Sequence, residues 1–247
     1  MTGEVVEMLR ETSDGDESLR LSSINASESS SDTSSGEDSW QDHFKKKNLF
    51  SMALINAHSL VNKISSLKKT MNKLATDVCI LTETWFHNGV LINRMVEDFN
   101  SKSSYSFLQK DRQTRRGGGI AICYNKNLIQ MTKAKIPPSK HEVYAAVGRQ
   151  RDQRRKIVMA IYVPPWYNAQ QNQSLFNYTN DALMALKSKY ENPIILMGGD
   201  FNRRDAREAT RDFPEVKIVN TGPTRGMATL DLILSNESGT LVDQGTV

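Results

Sequence analysis

Cysteine, histidine and long apolar runs are all scarce in this chain. It has two cysteines and four histidines in 247 residues. No Cys/His spacing of the zinc-binding kind occurs, which excludes a structural zinc module. Cys79 and Cys123 sit inside apolar strand-like runs. They read as buried free thiols of a reducing compartment, not as a disulfide framework. No run reaches the roughly 18 apolar residues of a membrane-spanning helix, so no membrane partner is expected. The N-terminus is acidic and has no apolar core, so a secretory signal is excluded and an intracellular setting is expected. Lys45-Lys46-Lys47 is too short to choose between nucleus and cytoplasm.

Charge is plentiful but unevenly placed. Residues 1–44 hold 11 Ser and 11 acidic residues against two basic ones, Arg10 and Arg20, a net of −9. The remaining 203 residues hold 30 basic against 17 acidic, a net of +13. The overall +4 therefore joins an acidic tail to a basic domain. Aromatic residues are absent from the tail until Trp40 and Phe44. Such a segment buries too little apolar surface to offset its ordering entropy, so residues 1–44 are expected to be disordered and residues 48–247 to fold.

Within the folded part, strand-like and helix-like patterns mix. Leu49 to Ile55, Val78 to Leu81, Ile120 to Tyr124, and Thr229 to Leu234 read as strands. Ser59 reads as an N-cap before apolar residues at helical spacing, Leu60, Ile64, Leu67, Met71 and Leu74. Leu175 to Tyr190 marks a second helix. Val143 to Val147 and Ile157 to Val163 flank the charged stretch Gly148 to Lys156, a hairpin with an exposed basic tip. Two packed sheet layers with helices outside would bury this many apolar strands.

The run Ile194-Ile195-Leu196-Met197-Gly198-Gly199-Asp200-Phe201-Asn202 carries the clearest chemistry. An apolar strand stops at two glycines, a carboxylate and an amide. The glycines permit a sharp turn and leave room for a bulky ligand. Asp200 and Asn202 are two residues apart and share a side of an extended chain. They can hold a water or a phosphate oxygen near a hard cation such as magnesium. Polar groups also close other apolar strands, Asn56, Glu83 and Tyr162, and Asp231 lies within one. Each alone has a structural explanation: a strand terminator, a surface carboxylate, a core phenol, an arginine partner. Their recurrence at one kind of location does not.

The ordered segments Asn56-Ala57-His58-Ser59-Leu60, Leu81-Thr82-Glu83-Thr84-Trp85, Arg116-Gly117-Gly118-Gly119-Ile120-Ala121, Ile161-Tyr162-Val163-Pro164-Pro165, Gly199-Asp200-Phe201-Asn202 and Leu230-Asp231-Leu232-Ile233 resemble the endonuclease/exonuclease/phosphatase superfamily. The Glu-Thr-Trp and Gly-Gly-Gly-Ile-Ala segments resemble its apurinic-type endonuclease branch in non-LTR retrotransposons. The resemblance spans about residues 48–236. It implies an α+β fold: a four-layer sandwich of two packed mixed β-sheets flanked by helices, with the site at one edge. It implies Glu83 and Asn56 as ligands of magnesium, with manganese as the alternative, and no small-molecule cofactor. Tyr162 would donate to the scissile phosphate, Asp200 would orient or deprotonate the attacking water, and Asn202 would support the developing charge. Asp231 would hold a histidine further on, and Thr224 would lie near the DNA-contacting rim.

The resemblance is incomplete. The superfamily's Ser-Asp-His box and the strand that bears it are not found after Asp231, and none of His43, His58, His87 or His141 stands in such a box. The expected chain is a fragment or the product of a decayed element, with its last strand missing and a sheet edge open. Loss of a catalytic donor commonly costs about 10²–10⁴ in rate. The basic balance fits DNA as partner. Three clusters could serve: Arg112/Arg115/Arg116, Arg149/Arg151/Arg154/Arg155/Lys156, and Arg203/Arg204/Arg207/Arg211. Arg116, Arg203 and Arg204 are the candidates for phosphate contact. The expected function is metal-dependent phosphodiester hydrolysis, a DNA endonuclease nicking a target site. The alternative is a DNA-binding remnant without catalysis. Composition sets no oligomeric state.

Overall fold

The apolar runs become two six-stranded sheets. A computed structural model describes residues 4–10, 50–86, 90–112, 117–150, 154–219, 229–237 and 244–246. In chain order the elements are β1 (Glu4–Arg10), β2 (Ser51–Asn56), α1 (Ile64–Leu74), β3 (Val78–Thr82), α2 (Val90–Lys102), β4 (Tyr105–Lys110), β5 (Ile120–Asn125) and β6 (Gln130–Lys133). They continue with β7 (Val143–Arg149), β8 (Arg155–Tyr162), α3 (Ala169–Lys187), β9 (Ile194–Asp200), a 3-10 turn (Ala206–Thr210), β10 (Lys217–Ile218), β11 (Asp231–Ser235) and β12 (Gln244–Thr246). One sheet runs β12-β1-β2-β3-β5-β4 and the other β10-β11-β9-β8-β7-β6. Each is mixed: β2–β3 and β8–β9 pair in parallel, and the other neighbours are antiparallel.

Both faces of the central strands are buried, which is why they read as continuous apolar runs and not as alternating ones. The alternation reappears in where each side chain packs. Met52, Leu54, Ile80, Ile122, Val158, Ala160, Tyr162 and Leu196 fill the space between the sheets. Ala53, Ile55, Cys79, Leu81 and Cys123 face outward onto α1 and α2 through Leu67, Met71, Ile92 and Phe99. On the other side Ile157, Met159, Ile161 and Met197 meet Leu175, Leu183 and Leu186 of α3. The order is helices, sheet, sheet, helix, the expected four-layer sandwich. Cys79 and Cys123 are free, buried and register partners on β3 and β5, and burial raises both thiols.

Several local expectations are corrected. Residues 4–10 fall in the segment expected to be disordered, yet they pair antiparallel with β2 and with β12. Val5-Val6 and Met8-Leu9 form a short apolar run that the acidic average over 44 residues conceals. The first sheet therefore continues past its first core strand. Residues 11–49 lie outside the described residues. Ser59 is not the cap of α1: its φ is 78°, and the helix begins at Ile64 with no side-chain cap. α3 starts at Ala169, earlier than its apolar spacing shows, because Asn168 and Gln171 form a capping box over a polar first turn. Lys156, expected at an exposed tip, is fully buried with its ammonium 5.2 Å from the centre of the Phe50 ring.

Gly198 and Gly199 also serve differently from the expected ligand clearance. Both lie inside β9, between β8 and β11. A Cβ at Gly199 would stand 1.8 Å from the carbonyl oxygen of Ile161. The approach of β8 by itself requires a glycine at this position.

Candidate active site

Strand direction gathers the site. β2, β3, β8 and β9 all end at one edge of the sandwich. Asn56 closes β2, Tyr162 closes β8 and Asp200 closes β9, and Tyr162 is the register partner of Asp200. Glu83 follows the last residue of β3. Asp231 is the first residue of β11, not an interior one. Because β11 runs antiparallel to β9, its start lies at the same edge, and Asp231 pairs in register with Asp200.

The side chains then meet across the gap between the sheets. Asn56 Nδ2 donates to Asp200 Oδ2 at 3.1 Å and lies 3.4 Å from Glu83 Oε1. Asn56 Oδ1 accepts from the His58 backbone N–H at 3.2 Å. The amide thus ties both carboxylates together and fixes the loop after β2. Asp200 is fully buried, and its Oδ1 accepts from the Asn202 backbone N–H at 3.0 Å. Asn202 Nδ2 donates to the Val163 carbonyl at 2.8 Å, which holds the end of β8 against the turn after β9. An amide has two N–H bonds, so one donor remains beyond the bond to Val163. Burial, and then the neighbouring charges of Glu83 and Asp200, push the Tyr162 phenol well up, so it stays protonated and is a hydrogen-bond donor at neutral pH.

The loops that carry these groups are strained. Eight non-glycine residues among those described have positive φ, and six belong to the site loops: His58, Ser59, Glu83, Trp85, Asn202 and Arg203. Such conformations cost on the order of 1–3 kcal/mol each and persist where surrounding structure enforces them. Here the enforcement is backbone bonding between loops. The N–H of Ser59 donates to Glu83 O at 2.8 Å, that of Leu60 to Thr84 O at 2.9 Å, and that of Trp85 to Gly118 O at 2.8 Å.

The oxygens gathered here, from Glu83, Asn56 and Asp200, are hard ones of the kind a divalent cation takes. The Glu83 side chain is 16% exposed, at the mouth of the site. Among the described residues no three His, Cys, Asp or Glu side chains gather into a cage. Magnesium is usually held by one or two carboxylates and keeps several waters, which suits such a sparse set.

The structure adds residues that motif reading missed. Arg112 Nε donates to Glu142 Oε1 at 2.6 Å, its Nη2 bonds the same oxygen, and both side chains are buried. Glu142 Oε2 accepts from the Gly119 N–H at 2.5 Å, and Glu142 O accepts from the Tyr162 N–H at 2.9 Å. Burial raises Glu142, and Arg112 acts against that shift. The guanidinium lies 5.3 Å from the centre of the Tyr162 ring and 4.9 Å from that of Trp166. Arg112 stands out in sequence only as one of many basic residues, and Glu142 carries no motif. His58 does reach the site: its Nδ1 lies 3.4 Å from Glu83 Oε2, and its ring is 5.1 Å from that of Trp85.

The basic candidates divide. Arg203 and Arg204 are exposed just past the Asp200/Asn202 turn, and Arg204 donates to Tyr167 O at 3.2 Å. Arg207 and Arg211 are engaged by Asp205 and by Asn177 with Asp212. Arg115, Arg116, Arg151 and Thr224 lie outside the described residues.

Comparison with known proteins agrees with this architecture. The model of the Endonuclease/Exonuclease/phosphatase family matches residues 50–247. The fold is similar to that of a mannosyl-6-phosphatase of Bacteroides thetaiotaomicron, with TM-score 0.54, 10% identity, and 70% of this chain and 76% of that chain covered. It is also similar to the endonuclease domain of TRAS1, a telomere-specific non-LTR retrotransposon, with TM-score 0.50, 13% identity, and 73% and 82% covered. A truncated TDP2 of Caenorhabditis elegans gives TM-score 0.50 at 13% identity, with 72% and 78% covered. No curated protein sequence is significantly similar to the chain. The match over most of its length, on a two-sheet sandwich whose strand ends converge, shows that this chain belongs to the endonuclease/exonuclease/phosphatase family.

Proposed function

We propose that this chain is a magnesium-dependent phosphodiesterase that nicks DNA, derived from the endonuclease of a non-LTR retrotransposon. The observation that carries the reading is the convergence of Glu83 and Asp200, from two different sheets, within hydrogen-bond reach of the Asn56 amide. Glu83 and Asn56 would hold the ion. A magnesium ion there would supply positive charge against the phosphate and its leaving oxygen. Asp200, fixed by Asn56 and by the Asn202 N–H, orients the attacking water and takes its proton. Tyr162, protonated at neutral pH, donates to a non-bridging oxygen, and the free N–H of Asn202 supports the charge that develops there. Arg203 and Arg204 neutralise neighbouring phosphates and carry little sequence information. DNA in place of a small phosphate ester is supported by the +13 balance of residues 45–247 and by the retrotransposon-like motifs.

The test is nicking of supercoiled plasmid with magnesium, by the parent chain and by Asp200→Ala and Glu83→Ala. Nicking by the parent that both substitutions and chelation of the metal abolish is expected. A folded parent that binds DNA in a salt-sensitive way and leaves the plasmid intact overturns the enzyme reading in favour of a binding remnant.

A further inference from the structure

Three large apolar side chains are conspicuously exposed among the described residues: Leu128, Met184 and Trp166. Leu128 lies in the turn before β6 and Met184 on α3. Trp166 alone stands at the site, four residues beyond Tyr162. Half of its surface is exposed, and the Arg112 guanidinium lies 4.9 Å from its ring. That cation is itself clamped. Glu142 holds it, the Tyr162 ring lies on it at 5.3 Å, and a Cβ at Gly118 would come within 2.3 Å of it. The indole therefore rests on a fixed charged plane that also lies against the ring of Tyr162. Exposed Arg204 is anchored on the carbonyl of the next residue, Tyr167.

An indole in this setting suits a flat π surface that carries negative charge next to it. A nucleobase attached to its phosphate has that chemistry, and stacking on an aromatic side chain is tolerant of base identity. A protein partner would call for apolar neighbours, whereas the ring lies on Arg112 and the next residue, Tyr167, anchors Arg204. We propose that Trp166, held on Arg112, is a stacking platform for an unpaired base adjacent to the phosphate that takes hydrogen bonds from Tyr162 and Asn202. This rests on the reading of the site as a nucleic-acid phosphodiesterase. It adds that the substrate is opened or single-stranded at the cleavage point.

The test compares binding of the whole chain to a short single-stranded oligonucleotide and to the same sugar-phosphate chain without bases, at one fixed salt concentration. The parent is expected to prefer the base-bearing strand by about 5-fold or more, the low end of a single stacking contact. Trp166→Leu keeps the apolar volume and removes the π face, and Trp166→Ala removes both. Each is expected to erase the preference while leaving the affinity for the base-free strand unchanged, and Trp166→Phe is expected to keep most of it. Equal weakening on both strands, no effect on either, or no preference in the parent overturns the platform. No effect on either would leave a protein contact as the use of the indole. Hydrolysis of methyl p-nitrophenyl phosphate by parent and Asp200→Ala is read in parallel. It decides the phosphodiesterase reading separately, because that substrate carries no nucleobase and the binding comparison needs no turnover.

Discussion

Asn56 Nδ2 donates to Asp200 Oδ2 at 3.1 Å, joining residues 144 positions apart on two different sheets. The bond sets the spacing of the two strand ends and, with the 3.4 Å approach to Glu83 Oε1, the spacing of the two carboxylates. Asn56→Ala is expected to lower the nicking rate by about 10²–10³, the usual loss for one positioned donor. Asn56→Asp should be at least as damaging, since it sets a third carboxylate against two. Single-turnover nicking rates, with circular dichroism to verify folding, check this. Parent-like rates in both variants would remove Asn56 from the site.

The Arg112–Glu142 pair predicts a stability effect. Breaking a buried ion pair by deleting one partner commonly costs about 3–5 kcal/mol, because the other charge is left uncompensated. Arg112→Ala is expected to fall in that range by urea unfolding. The double variant Arg112→Met/Glu142→Leu should recover most of the loss. A double variant no more stable than Arg112→Ala would contradict the assignment.

Gly199→Ala tests the account of the glycines in β9. The added Cβ would meet the Ile161 carbonyl at 1.8 Å, and that carbonyl belongs to a central strand that cannot move aside. A loss of about 1–3 kcal/mol or more is expected from overpacking of this kind. A urea midpoint equal to the parent's would show that the glycine serves something other than strand approach.

His141 predicts how stability depends on acid. Its Nε2 is 3.0 Å from Ser174 Oγ, its ring packs beside Tyr167 and Tyr178, and Lys140 and Lys110 lie near. Burial, and then those two lysines, hold it below the ordinary imidazole value of 6.5. The unfolded chain therefore takes up the proton first as pH falls. The stability that His141 contributes is fully present above about pH 6.5 and is lost as pH drops through its folded value. Urea midpoints at pH 7.5 and pH 5.5 should differ less in His141→Gln than in the parent. Equal differences in the two proteins would rule the residue out as a source of acid sensitivity.

Much of this was legible in the sequence because it is written in local pattern. Strands buried on both faces produce uninterrupted apolar runs, and those runs end where a polar group must meet solvent or ligand, so Asn56, Glu83, Tyr162 and Asp200 stand out. α2, β4 and β6 carried no comparably clear pattern. Charge was legible as composition but not as use: Lys156 belongs to a basic run yet is buried over Phe50, while Arg112 belongs to another and is clamped by Glu142. Neither outcome is a property of neighbours in sequence. The chain by itself determined which residues end the strands and which chemistry they bear, since period and residue type act over a few positions. Only the tertiary structure decided that Asn56 and Asp200 share a hydrogen bond, that Asp231 starts its strand at the same edge, and that residues 4–10 pair with β2. Those relations depend on the order and direction of strands far apart in the chain, which the packing of two sheets fixes and local pattern does not.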